Sequence, residues 1–256
     1  MARNVGYRNT VESPDPSVQV SSSPAIAISS TLCHRPQTVQ IQVEQEPPQN
    51  SPAAATMAAA RPGLNILVFL GSVREGRMAL RVGRYVQQLL EKRQHKVTIL
   101  DPKELNLGEV EQPLHFYKDP SLAPVILHQI NKQIQEADGF VVVSAEYNSG
   151  MTPALASIMD NFPPVSYGYR PSAIVTYSMG QFGGIRAAMQ LRQFLSELTT
   201  VHMSSMIVIP KVHESLSEEG SATSDSLARA SEAMCKQLEW YAHALKTERN
   251  TNGIPK

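Results

Sequence analysis

Cysteine is scarce in this chain. Cys33 and Cys235 are the only two in 256 residues, too few for a disulfide framework and without metal-ligand spacing. A metal site is therefore not expected, and a reducing, cytoplasmic setting is. Charge is balanced as well: 23 Lys and Arg face 23 Asp and Glu, leaving a formal net charge of zero. Nothing global points to nucleic acid or to an anionic membrane surface. No apolar run approaches the roughly 18 residues needed to cross a bilayer. A hydrophobic signal core is missing near the start, which argues against secretion. Arg3, Arg8 and many serines have the composition of a mitochondrial presequence, but Glu12 and Asp15 interrupt them and no amphipathic pattern forms.

Several enzyme signatures are also missing. The first glycine-rich turn is not followed by Gly-Lys-Ser/Thr, so it is not a P-loop, and no Gly-x-Gly-x-x-Gly marks a dinucleotide fingerprint. A serine hydrolase has no Gly-x-Ser-x-Gly elbow to carry its nucleophile. Aromatic residues are nearly absent from residues 1–62, which are rich in Ser, Pro, Gln, Val and Ala and end in an alanine-rich stretch. Such a segment cannot bury enough apolar surface to offset its ordering entropy, so it reads as a disordered, low-complexity tail. A helix over residues 53–60 is too short to nucleate well alone.

What is present begins at about residue 63. Apolar runs at 64–70, 140–143 and 172–176 read as strands buried on both faces. A run at 96–100 alternates like another strand, and residues 201–209 are β-branched toward their end. Helical periodicity lies between them, at 78–90, 125–136, 153–160 and 184–198, and again at 224–245. Strands alternating with helices imply an α/β fold with a five-stranded parallel sheet of order 2-1-3-4-5. Flavodoxin is the familiar protein with that order, so the expected architecture is a flavodoxin-like three-layer sandwich. It should occupy residues 63–248, with 249–256 a flexible end. Residues 102–124 and 161–170 are proline-bearing excursions, which usually serve a site or an interface.

In this order strands 1, 3 and 4 are neighbours, and each is followed by a glycine- and hydroxyl-rich turn. Ligands of open parallel sheets sit beyond the carboxyl ends of the strands. Gly71-Ser72-Val73-Arg74 offers successive N–H groups, a hydroxyl and a guanidinium at a helix start, a set suited to phosphate. A tight turn with a solvated arginine is the competing account. Glu146-Tyr147-Asn148 can edge a planar heterocycle, or Asn148 can simply serve the turn. Ser178-Met179-Gly180-Gln181-Phe182-Gly183-Gly184 allows close backbone approach, or plain helix entry. His202 and His213, on or beside the last strand, have the chemistry of ligands or bases, but structural or surface histidines are the favoured account. Arg186 and Arg192 fit a solvated helix face, with reach into the cofactor region the lesser alternative for Arg186.

With these residues in view, the chain resembles the NAD(P)H-dependent FMN reductase family, which includes quinone and azo-dye reductases. The resemblance spans about residues 64–245. It rests on Gly71-Ser72-Val73-Arg74 with Gly76-Arg77, on Glu146-Tyr147-Asn148, and on Ser178-Met179-Gly180 with Gly183-Gly184-Ile185-Arg186. It implies FMN as cofactor and NADPH or NADH as donor. Gly71, Ser72, Arg74 and Arg77 would serve the phosphate. Glu146, Tyr147 and Asn148 would line the isoalloxazine, with Ser178, Gly180, Gly183 and Gly184 closing its other edge. No separate catalytic acid or base is implied. The chain departs from the family at Ala145, where proline is usual; at Ala156 or Ser157, where lysine is frequent; and at Arg77, where many relatives have serine. Two electrons would pass to a quinone, azo compound or flavin. A homodimer or homotetramer is implied, with residues 102–124 and 161–170 as candidates for the wall it shares. The competing reading is a flavodoxin-like FMN-binding or interaction module without efficient turnover. A one-electron carrier fits less well, because such carriers are usually acidic.

Overall fold

The computed structural model describes residues 61–255. Expectations about residues 1–60 (the low-complexity tail, the helix at 53–60, the presequence-like stretch and Cys33) lie outside the described residues.

Strand β1 (Asn65–Leu70) pairs in parallel with β2 (Lys96–Leu100) on one side and β3 (Gly139–Ala145) on the other. Beyond β3 comes β4 (Pro171–Tyr177), which carries both β5 (Val201–His202) and β6 (Ile207–Ile209). The order is β2-β1-β3-β4-β5, with every pairing parallel. The chain thus has the flavodoxin-like α/β fold expected from its sequence, with one difference at the edge. A single fifth strand over 201–209 is broken in two. Gln237 accepts the Ser205 N–H at 2.8 Å and exchanges hydrogen bonds with the Ser204 hydroxyl, so the serine pair is satisfied outside the ladder.

The first strand has no polar face beyond Asn65 at its start. In β1, Ile66, Val68 and Leu70 join the core on one side of the sheet, while Leu67 and Phe69 join the core on the other. Period-two alternation with both faces apolar is what a covered parallel sheet requires. Helices α1 (Ala79–Glu91), α7 (Val212–Ser215) and α8 (Asp225–Asn252) cover the first side. Helices α3 (Val125–Glu136), α4 (Pro153–Asp160) and α6 (Ile185–Glu197) cover the second.

Two excursions are more ordered than their composition suggests. Residues 102–124 hold a short helix α2 (Pro102–Leu105), whose first turn is capped by the Asp101 side chain, and two 3-10 turns. Residues 161–170 contain α5 (Pro164–Tyr167), and Tyr167 is fully buried against Phe69 and Phe140. The last helix also runs to Asn252, past the expected boundary at residue 248. Lys246 bonds Asp138 at 2.8 Å and Arg249 donates to the Tyr169 carbonyl at 2.8 Å, which ties its final turns to the sheet.

Candidate active site

The carboxyl ends of β1, β3 and β4 lie side by side, and the loops leaving them enclose a cavity of about 450 Å³. That volume falls in the usual range for small-ligand sites, roughly 300–1,000 Å³. Ser72, Arg74, Glu75, Gly76, Arg77 and Met78 line it from the first loop, with the exposed Glu75 carboxylate paired to Lys103 at 3.4 Å. Ala145, Glu146 and Tyr147 come from the second, and Tyr177, Ser178 and Met179 from the third, with Val212 at the start of α7.

The first loop leaves its backbone donors without partners. Among the described residues, no N–H of residues 73–78 donates an intramolecular hydrogen bond. Residues 73–76 are exposed, so these donors are open to solvent or a ligand, and a run of them at a helix start can form an anion cradle. Arg74 is exposed and pairs with no described carboxylate; its guanidinium carbon lies 3.5 Å from the centre of the Tyr147 ring. Ser72 is buried, and its hydroxyl meets the Tyr147 hydroxyl at 2.6 Å.

Arg77 is placed differently from a phosphate ligand. Its two terminal nitrogens both donate to Asp101 at 2.6 Å, and the side chains are 5% and 7% exposed. One of those nitrogens also bonds the Ser72 carbonyl. The guanidinium lines the cavity while fastening the first loop to the end of β2.

The second loop is a two-residue hairpin turn. Tyr147 and Gly150 exchange backbone hydrogen bonds at 3.0 Å each way, and Asn148 and Ser149 both have positive φ, 51° and 67°. Asn tolerates that conformation better than most residues, so Asn148 serves the turn. Glu146 lines the cavity, and its carboxylate is engaged by the start of α6. It accepts the Arg186 and Ala187 N–H groups at 3.0 and 3.4 Å and pairs with the Arg186 guanidinium, capping α6.

The glycines divide by role. A Cβ on Gly71 would meet Thr152 Oγ1 at 2.5 Å and the Val143 carbonyl at 2.9 Å. One on Gly183 would meet Val208 at 2.6 Å, and one on Gly184 would meet Thr176 at 2.9 Å. These three permit close packing beneath the loops and stand behind the cavity lining. Gly180 faces open space, and its carbonyl accepts from Lys211 N–H and from Ser178 Oγ. Tyr177 is buried, and burial pushes its phenol well above the ordinary value, so it stays neutral.

Sequence reading missed Asp101, Met78 and Val212, and it left Arg186 on a solvated face. Asp101 had one signal: an acidic residue before proline at a strand end, the usual composition of a capped turn. His202 and His213 lie outside the cavity lining. No described helix is long and apolar enough to cross a membrane.

The family model for NADPH-dependent FMN reductases matches residues 64–214, more than half of the chain. A quinone reductase of Escherichia coli strain K12 is 28% identical over 146 residues, covering 55% of this chain and 74% of that protein. A 2-hydroxy-1,4-benzoquinone reductase of a Burkholderia species is 28% identical over 159 residues, covering 59% and 81%. Among solved structures, the flavoenzyme NAD(P)H:(acceptor) oxidoreductase FerB of Paracoccus denitrificans shares the fold, with a TM-score of 0.55 at 19% identity, covering 72% of this chain and 98% of that one. The chain belongs to the NADPH-dependent FMN reductase family and is an NAD(P)H-dependent oxidoreductase whose cofactor is FMN.

Proposed function

We propose that this protein passes two electrons from NAD(P)H through bound FMN to a quinone, azo compound or free flavin. The observation that carries the reading is the run of free N–H groups at residues 73–78 beside Arg74 and Ser72. A dianionic phosphate needs that chemistry, several donors and a cation, and Arg74 pairs with no described carboxylate while Glu75 of the same loop pairs with Lys103. The cavity volume also suits a flavin. Bound FMN supplies the two-electron chemistry between nicotinamide and acceptor.

Each residue then has a task. Ser72, Arg74 and the N–H groups of 73–78 hold the phosphate, and Arg77 sets the loop through the Ser72 carbonyl. The backbone of Ala145 and Glu146, with Ser178 and Met179, lines the ring. Gly180 leaves room at that edge, while Gly71, Gly183 and Gly184 let the loops pack closely. The Met179 N–H, in the cavity lining, makes no hydrogen bond to a described acceptor and can stabilise negative charge on a reduced ring.

A homodimer or homotetramer belongs to the same reading. Phe116 and Leu122 in one excursion and Val165 in the other are all more than half exposed, which suits burial against a second copy. Light scattering on the purified protein tests this; a monomer at all concentrations removes it. Cytoplasmic residence is likewise proposed, in keeping with the free, buried Cys235 and a reduced nicotinamide donor. Turnover is tested by following NADPH oxidation with 1,4-benzoquinone, an azo dye or free flavin, with and without FMN. FMN-dependent oxidation with any acceptor supports the reading, and its absence with all three removes it.

A further inference from the structure

We propose that Tyr147 belongs to the phosphate half of the site, as the positioning residue for Arg74 and Ser72, and not to the wall of the flavin ring. This rests on the FMN reading above and departs from the role that the family resemblance implies for Tyr147.

The surroundings of the ring carry it. Its hydroxyl edge is taken by Ser72, oxygen to oxygen 2.6 Å. The Arg74 guanidinium carbon lies over its face, 3.5 Å from the centroid. The rest of the ring packs against the buried core on the α1 and α8 side. One face of the ring and its hydroxyl edge are therefore already occupied, by Arg74 and Ser72. What the ring does offer is order. Arginine has large side-chain rotamer entropy, and stacking on a fixed aromatic plane removes part of the cost of ordering it before a ligand arrives. The plane itself is fixed, because Tyr147 opens the hairpin turn closed by Gly150. Tyr147 thus holds the Ser72 hydroxyl and the Arg74 guanidinium in place beside the first loop before a ligand arrives.

The test compares FMN, riboflavin and inorganic phosphate on the folded protein, read by flavin fluorescence. Riboflavin has the ring without the phosphate, and inorganic phosphate has the reverse. Tyr147→Leu should raise the FMN dissociation constant about tenfold, the size of a lost stacked cation and its hydrogen bond together. The inhibition constant of inorganic phosphate against FMN should rise by a similar factor, while riboflavin affinity stays within about twofold. Tyr147→Phe keeps the stack and loses the Ser72 contact, so FMN should weaken about threefold; it also serves if the leucine variant misfolds. Equal losses for FMN and riboflavin, with phosphate inhibition unchanged, would return Tyr147 to the ring wall and overturn the proposal. No loss for any probe overturns it too. Wild-type protein that binds no FMN at all would overturn the cofactor-site reading itself, a different and recognisable failure.

Discussion

Removing the Asp101 carboxylate should be among the most damaging single changes in the domain. Asp101 accepts both terminal nitrogens of Arg77 at 2.6 Å and the Lys103 N–H at 3.0 Å, with both ionic side chains less than a tenth exposed. Asp101→Ala strands a guanidinium in a buried place and uncaps α2. Breaking a buried pair from one side typically costs about 3–5 kcal/mol, because the remaining charge loses its partner without regaining water. In a domain of this size each kcal/mol lowers Tm by about 2–4 °C, so the expected loss is about 6–20 °C. The pair itself is worth much less than that. Arg77→Met with Asp101→Leu should recover most of the stability, since apolar groups of similar volume need no partner. Urea unfolding followed by circular dichroism measures both, and is preferable to fluorescence because the single tryptophan, Trp240, is mostly exposed. FMN affinity should stay low in the double variant, since the Ser72 carbonyl has still lost its Arg77 donor. A cost below about 1 kcal/mol for Asp101→Ala, or a double variant no more stable than the single one, would refute this reasoning.

Arg74→Ala should weaken FMN by about tenfold or more, the contribution of a charge-assisted hydrogen bond, and leave riboflavin nearly unchanged; equilibrium dialysis with each flavin checks it. Glu146→Gln should cost only about 1 kcal/mol in thermal melts: the α6 cap survives in part, and the Arg186 partner is half exposed and screened. Gly184→Ala should destabilise by more than about 1 kcal/mol, because φ is +87° and the new Cβ meets Thr176 at 2.9 Å; a neutral result in chemical denaturation sinks the packing role. Burial pushes the Cys235 thiol up from 9.0 to about 11. The unfolded chain releases that proton first, so the folded state binds more protons between about pH 9 and 11 and stability falls as pH rises through that window. Cys235→Ala should lose less stability than wild type between about pH 8 and 10, measured by urea titration at each pH.

The fold was readable because its strongest signals are local. The unbroken apolar runs ending at Leu70, Val143 and Val175 can only be strands covered on both sides, and the glycine-rich turns after them mark the carboxyl edge. The break at Ser204–Ser205 was hidden, since it depends on Gln237 of a distant helix reaching across. Site composition was likewise visible, but the direction of each charged side chain was not. Glu146 and Arg186 are 40 positions apart, and Arg77 and Asp101 are 24 apart. Residue type alone cannot tell which arginine faces a ligand and which one faces a carboxylate. Arg74 and Arg77 lie on the same loop, yet one is exposed on an aromatic ring and the other is buried in an ion pair. Tertiary pairing, not spacing, separates them.

The most direct measurement is an absorbance spectrum of purified protein incubated with FMN and desalted, taken before and after anaerobic addition of NADPH. Retained flavin bands that bleach with NADPH are the expected result, since the loops after β1, β3 and β4 are read as an FMN site open to a nicotinamide. Protein that emerges without flavin, or that keeps flavin bands unchanged by NADPH, would contradict that claim.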